Sequence, residues 1–229
     1  MLWYKSWLET RVRLLVALGM LSFFLMVQYQ NRLASQRSFL MVAQSEWLIV
    51  AMVGILLSGA GVVTQPAFQA TKGLHGSTLF TLSLPVTRRR LLAIRAGLGW
   101  IAMVCLLAAR SCAVWFLFPI LRETATPVVM LQQFLTLTVC ATGLYAIPVL
   151  LATFLDDQWR LQGSFLAMAA LWYLCNRTPL PASLNLIRAM GEGSPLFSHT
   201  MPWTAMACSL GLGAALFFAA LKIVQRREY

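Results

Sequence analysis

Six apolar runs divide this chain, at about residues 14–30, 47–67, 96–118, 128–155, 161–175 and 202–221. Each is close to the roughly 17–25 residues that carry an α-helix across a bilayer. The fifth is short for a span. The fourth is long and holds Pro148, which is expected to kink or end its helix because proline lacks the amide donor and crowds the preceding turn. The composition agrees with a membrane assignment: 59% of the 229 residues are hydrophobic and only 11% charged, against an apolar share of about 45–50% in soluble domains.

The charge is one-sided, with 18 Lys and Arg against 7 Asp and Glu and a net charge of +11. Nucleic-acid binding would require a folded basic module with interleaved aromatics, and no stretch is long enough to build one. The basic residues instead flank the apolar runs, where they encode topology because short cytoplasmic loops favour Lys and Arg. With six spans and the N-terminus inside, twelve of the 18 fall on the inner side. Five fall outside (Arg32, Arg37, Arg122, Arg177 and Arg188), and Arg110 lies within a span. Removing the fifth helix would move the basic tail "KIVQRREY" outside and spoil this asymmetry. The expected fold is therefore all-α, a single polytopic membrane domain over residues 1–229 with six transmembrane helices and both termini cytoplasmic.

Residues 1–13, "MLWYKSWLETRVR", put Lys5, Ser6, Glu9 and Arg13 on one helical face and Trp3, Tyr4, Trp7 and Leu8 on the other, the pattern of a helix lying in the membrane interface. Trp3 and Trp7 are its expected interface anchors. The basic start imitates a secretory signal, but no A-x-A-like site follows, so the first run reads as an uncleaved span. Residues 176–201 form the longest outer loop, with room for a short lipid-surface helix at "ASLNLIRAM".

Catalytic patterns are missing. Gly163-Ser164 and His199 do not form a G-x-S-x-G element. His75 and His199 lack metal-ligand spacing, and no G-x-x-x-x-G-K-[ST] run exists for nucleotide phosphates. The five cysteines stand singly and read as small buried apolar residues. No enzyme activity, metal or cofactor is expected on this chain.

Polar residues inside the spans are the remaining candidates. Arg110 is expected to snorkel to the outer interface; the alternative is that it faces a cavity and meets an anionic substrate group or a carboxylate from another helix. Gln132, Gln133, Thr136, Thr138 and Thr142 of the fourth span either glue helices together, the favoured reading, or line a pathway. Arg110, Gln132, Gln133 and Thr136 are accordingly the candidate translocation path.

The inner segment 72–90 is the most informative. In "KGLHGSTLFTLSLPVTRRR", Leu74, Leu79, Leu82 and Val86 fall near helical spacing, and Pro85 stops the pattern before the basic triplet Arg88, Arg89 and Arg90. Those arginines would anchor the third helix at an anionic inner leaflet. This stretch resembles the first cytoplasmic loop of type-2 ATP-binding-cassette (ABC-2) permeases, whose pattern is Gly-Thr-Leu, leucines, then Leu-Pro-Val-Ser-Arg. The matching positions are Gly76, Thr78, Leu79, Leu82, Leu84, Pro85, Val86, Thr87 and Arg88. Lys72, Gly73, Leu74 and His75 stand where many members carry acidic residues, and Ser77 is inserted. The resemblance extends in layout to an N-terminal elbow helix, six spans and a long loop between the second and third.

What the resemblance implies is the membrane subunit of an exporter. Residues 72–90 would be a coupling helix docking on a separate ABC ATPase subunit that binds the ATP and magnesium, with Leu74, His75, Gly76, Thr78, Leu79, Leu82, Leu84 and Pro85 as the docking residues. A second permease subunit, identical or paralogous, would complete the pathway in a bacterial inner membrane. The alternative function is a non-transporting scaffold or immunity/assembly factor with the same architecture.

Overall fold

The computed structural model describes residues 2–34, 38–58, 88–118, 125–155, 157–177, 181 and 184–226; side chains of residues 2–10 and 30–45 and a few others lie outside the description. Within these limits every regular element is a helix. They are α1 (Leu2–Ala34), α2 (Ser38–Ser58), α3 (Arg88–Leu117), α4 (Pro127–Phe154), α5 (Asp157–Arg177), α6 (Leu186–Met190), α7 (Pro195–Ser198) and α8 (Trp203–Arg226). Three segments are long and apolar enough to cross a membrane: Leu92–Leu117, Pro127–Phe154 and Trp203–Arg226. Two shorter apolar stretches, Arg13–Tyr29 and Glu46–Leu57, lie in α1 and α2. The rest of the expected second run, residues 59–67, is outside the described residues, as is residues 72–87 of the expected coupling loop.

Several local expectations are revised. Residues 2–13 do not stand apart as an elbow: α1 is one helix of 33 residues. Neither glycine nor proline occurs before Gly19, so nothing in the backbone chemistry breaks it. α4 is not ended at Pro148 but stays helical to Phe154, and Pro148 is itself buried in the bundle. α5 extends the short fifth run to 21 residues, about 30 Å at 1.5 Å per residue. Its added ends carry Asp157, Gln158, Arg160 and Arg177, which explains why hydropathy alone undersized it.

α4 is the centre of the bundle, packing against α2, α3, α5, α6, α7 and α8, while α1 packs on α2 and α3. It starts cleanly: Thr126 is the N-cap, its side chain accepting from the Val129 amide, and Pro127 occupies the first turn, where its missing donor costs nothing. Its closest neighbour is α8. There Ser209 donates to the carbonyls of Val139 and Cys140 at 3.0 and 2.9 Å and accepts from the Gly143 amide at 3.2 Å. A Cβ on Gly143 would stand 2.9 Å from the Ser209 carbonyl oxygen, so only glycine permits this approach. Small residues and hydroxyls are how apolar helices pack without a hydrophobic drive in lipid. Gly143→Leu is expected to force α4 and α8 apart, at about 1–3 kcal/mol or more for overpacking, read as a lowered unfolding midpoint in detergent; an unchanged midpoint would remove this contact from the account.

The expected lipid-surface helix is instead α6, and it is buried. Leu186, Ala189 and Met190 join the main core, and α6 touches α2, α4, α5 and α8. Asn185 fixes it at both ends of its own side chain: Oδ1 accepts from the Arg188 amide at 3.0 Å, capping α6, and Nδ2 donates to the Cys175 carbonyl at 2.7 Å. The cysteines also divide differently from expectation, with Cys140 and Cys175 buried but Cys105, Cys112 and Cys208 exposed on outward helix faces. Those faces are apolar, so a small apolar side chain suits them as well as a core position does.

Candidate functional site

Arg110 does not snorkel. It is 3% exposed and grips Glu46 of α2 with both terminal nitrogens, Nη1 donating to Oε2 and Nη2 to Oε1, the latter at 2.7 Å. This is the fork-to-fork geometry that guanidinium and carboxylate planes favour. The alternative in which Arg110 meets a carboxylate from another helix is therefore the one realised. Desolvation explains the pairing, since a lone charge at either position would be buried without compensation.

The helix registers show what else shares this level. α2 and α3 run antiparallel, because Glu46 meets Arg110 near one end and Leu57 lies against Gly99 towards the other. α3 and α4 are antiparallel too: Tyr145 donates to the Ala96 carbonyl at 2.8 Å, and one turn on, Trp100 Nε1 donates to Thr142 Oγ1 at 3.1 Å. Extending these registers places Gln132, Gln133 and Thr136 within about one to two helical turns of the ion pair along the bundle axis. Gln133 is buried, and Thr136 is fully so.

This polar layer is incompletely satisfied. Thr136 Oγ1 turns back to the Gln132 carbonyl at 2.9 Å and contacts Met201 Sδ at 3.8 Å. Gln133 Oε1, Thr138 Oγ1 and Arg110 Nε are buried with no hydrogen-bond partner among the described residues. Buried polar atoms in native proteins are nearly always paired, with protein or with ordered water, so these three atoms are places where water or another polar group would be bound. Thr142, by contrast, behaves as helix glue, accepting from Trp100 and donating to the Thr138 carbonyl.

Of the expected interface anchors, Arg89 and Arg90 are exposed in the first turn of α3. The side chains of Trp3, Trp7 and Arg88 lie outside the description, as do all the expected docking residues from Leu74 to Pro85. Ser164 is buried in α5, whereas His199 is exposed after α7. No cluster of three or more His, Cys, Asp or Glu residues able to hold a metal occurs among the described residues.

Glu46 is the functional candidate that sequence reasoning passed over. It sits just before the apolar run begun at Trp47, where it reads as a boundary residue. The signal was available: "SFLMVAQ" upstream of it is itself largely apolar, so that the helix could have been extended across it. Comparison with family models, curated proteins and solved structures returns no match.

Proposed function

We infer that this chain is the membrane-spanning permease subunit of an ABC-2 type exporter in a bacterial inner membrane, driven by a separate ATPase. The observation that carries the reading is the sequence of residues 76–88, "GSTLFTLSLPVTR", between the second and third apolar runs. A leucine-rich amphipathic segment on the wet side of a membrane protein requires a partner groove or the lipid surface to cover it, and no phosphate-binding loop on this chain supplies energy for transport.

The six spans of this reading are α1, α2, α3, α4, α5 and α8, with 72–90 and both termini cytoplasmic and 176–201 outside. The buried charge pair and its polar layer suit such a protein, because ionisable groups within spans are expensive and concentrate on substrate paths and moving parts. Arg110, Gln132, Gln133 and Thr136, joined now by Glu46, are the residues assigned to that path or to the contact that opens it.

Co-expression with the ATPase encoded nearest its gene tests the proposal. The chain alone should hydrolyse no ATP; with the ATPase it should form a complex of two membrane subunits and two ATPases whose turnover responds to substrate in proteoliposomes. Absence of any complex would overturn the reading. A complex whose hydrolysis responds to no substrate would instead support the scaffold function.

A further inference from the structure

Between α3, α4 and α8 the bundle leaves a groove of about 240 Å³. Ala93, Gly97 and Trp100 form one wall, with Val149 and Phe217 opposite. The polar atoms beside it are turned to the protein: the Tyr145 hydroxyl is spent on the Ala96 carbonyl and the Trp100 indole on Thr142. What remains is a surface for hydrocarbon. Small residues hold it open, and a Cβ on Gly97 would meet nothing within 4 Å.

Two cations lie one turn beyond the end of the groove lined by Ala93. At helical spacing, Arg89 and Arg90 lie within about 60–70° of the stripe formed by Ala93, Gly97 and Trp100, one turn before it. Both are exposed, and among the described residues no ion pair engages them. From Arg90 to Trp100 the stripe runs about 15 Å at 1.5 Å per residue, half of the roughly 30 Å hydrocarbon core. The groove wall itself, Ala93 to Trp100, accounts for about 10 Å of that length, so the groove and the arginines beyond it together span about one leaflet.

We propose that this groove is a binding site for one anionic phospholipid, its acyl chain lying along α3 between Ala93 and Trp100 and its phosphate held by Arg89 and Arg90. At about 240 Å³ the groove is smaller than the roughly 300–1,000 Å³ pockets of drug-sized ligands, a size for part of one narrow chain rather than for a bulky ligand. The exposed Arg89 and Arg90 favour an anionic occupant over a second copy of this chain, whose net charge is itself +11. The site differs from the diffuse attraction of basic residues to an anionic leaflet in requiring both a defined groove and the arginines beyond it. It rests on the membrane placement of α3, α4 and α8, not on the exporter reading, so loss of ATPase coupling would leave it standing.

The test uses the full chain, delipidated in detergent and offered equal amounts of phosphatidylglycerol and phosphatidylcholine of the same chain length, with bound lipid read by native mass spectrometry. One phosphatidylglycerol should be retained at least tenfold over phosphatidylcholine, since each arginine beside a net anionic headgroup contributes about a fivefold preference, whereas choline cancels the charge of its own phosphate. Gly97→Phe, which fills the groove, should cut retention of both lipids at least tenfold. Arg89→Gln with Arg90→Gln should keep a bound lipid but bring the ratio towards one. Gly211→Leu, about 160° round α8 from Gly213 with nothing within 4 Å of its Cβ, should change neither. Ala93→Leu serves as a milder block should Gly97→Phe fail to fold. Equal retention of the two lipids by the unaltered chain, or full retention by the folded blocked variant, would overturn the site. So would a crosslink across the groove to a second copy that phosphatidylglycerol does not displace.

Discussion

Glu46→Ala and Arg110→Ala should each destabilise the protein by about 3–5 kcal/mol, because either one strands a buried charge. The pair is bidentate and Arg110 is 3% exposed, so solvent screening offers little relief. Arg110→Lys should recover only part of the loss, since a single ammonium cannot reproduce the two-pronged contact. The double variant Glu46→Leu with Arg110→Met should return close to the starting stability, as apolar replacement of a whole buried pair often does. Unfolding midpoints in detergent measure all four. Single-variant costs below about 1 kcal/mol, the range of surface ion pairs, would show that water reaches the pair. The double variant also separates two roles. Under the proposed exporter function, a packing clamp should leave substrate-responsive ATP hydrolysis by the partner intact when both charges are gone, whereas a part of the translocation path should leave a stable protein whose partner no longer responds to substrate.

The second large effect is expected in the segment between α2 and α3. If the exporter reading proposed above holds, Leu79→Asp or Leu82→Asp should place an unpaired carboxylate in the apolar groove of the proposed ATPase partner. The desolvation cost of several kcal/mol corresponds to roughly a hundredfold or greater loss of affinity, and the ATPase should no longer co-purify. Membrane insertion should be normal on that reading, because these residues lie outside its proposed spans. Neutralising Arg88, Arg89 and Arg90 together should act in the opposite sense, weakening attraction to anionic lipid by about 1 kcal/mol per residue and disturbing insertion more than docking. Leucine variants that insert normally and keep the ATPase at full affinity would remove the coupling role, and with it the resemblance on which the exporter reading stands.

The sequence by itself determined the helical class and the approximate position of nearly every long helix. Hydropathy is a local property: a run such as 128–155 needs only its own residues to favour a helix in an apolar environment, and α4, Pro127–Phe154, follows it within a residue. Capping is equally local, as Thr126 and Pro127 show in the structure, although it was not part of the sequence reading. The unbroken α1 and the longer α5 have local reasons, but at Pro148 and α6 the deciding interactions are long-range or set by burial. Pro148 does not end α4, a helix packed on six others, and α6 is short enough that its apolar residues could equally have faced lipid but for its contacts with α2, α4, α5 and α8.

The candidate site belongs almost wholly to the tertiary structure. Arg110 was legible as an anomaly in an apolar run, and the depth of Gln133 and Thr136 could be counted from the start of their helix. Its partner could not, because Glu46 lies 64 residues away in sequence and pairing depends on how α2 and α3 are rotated and staggered against each other. A charge in an apolar run states only that compensation is required. Which carboxylate provides it is decided by helix packing, where close approaches such as Gly99 against Leu57 and Gly143 against Ser209 fix the registers that bring Glu46 and Arg110 to the same level.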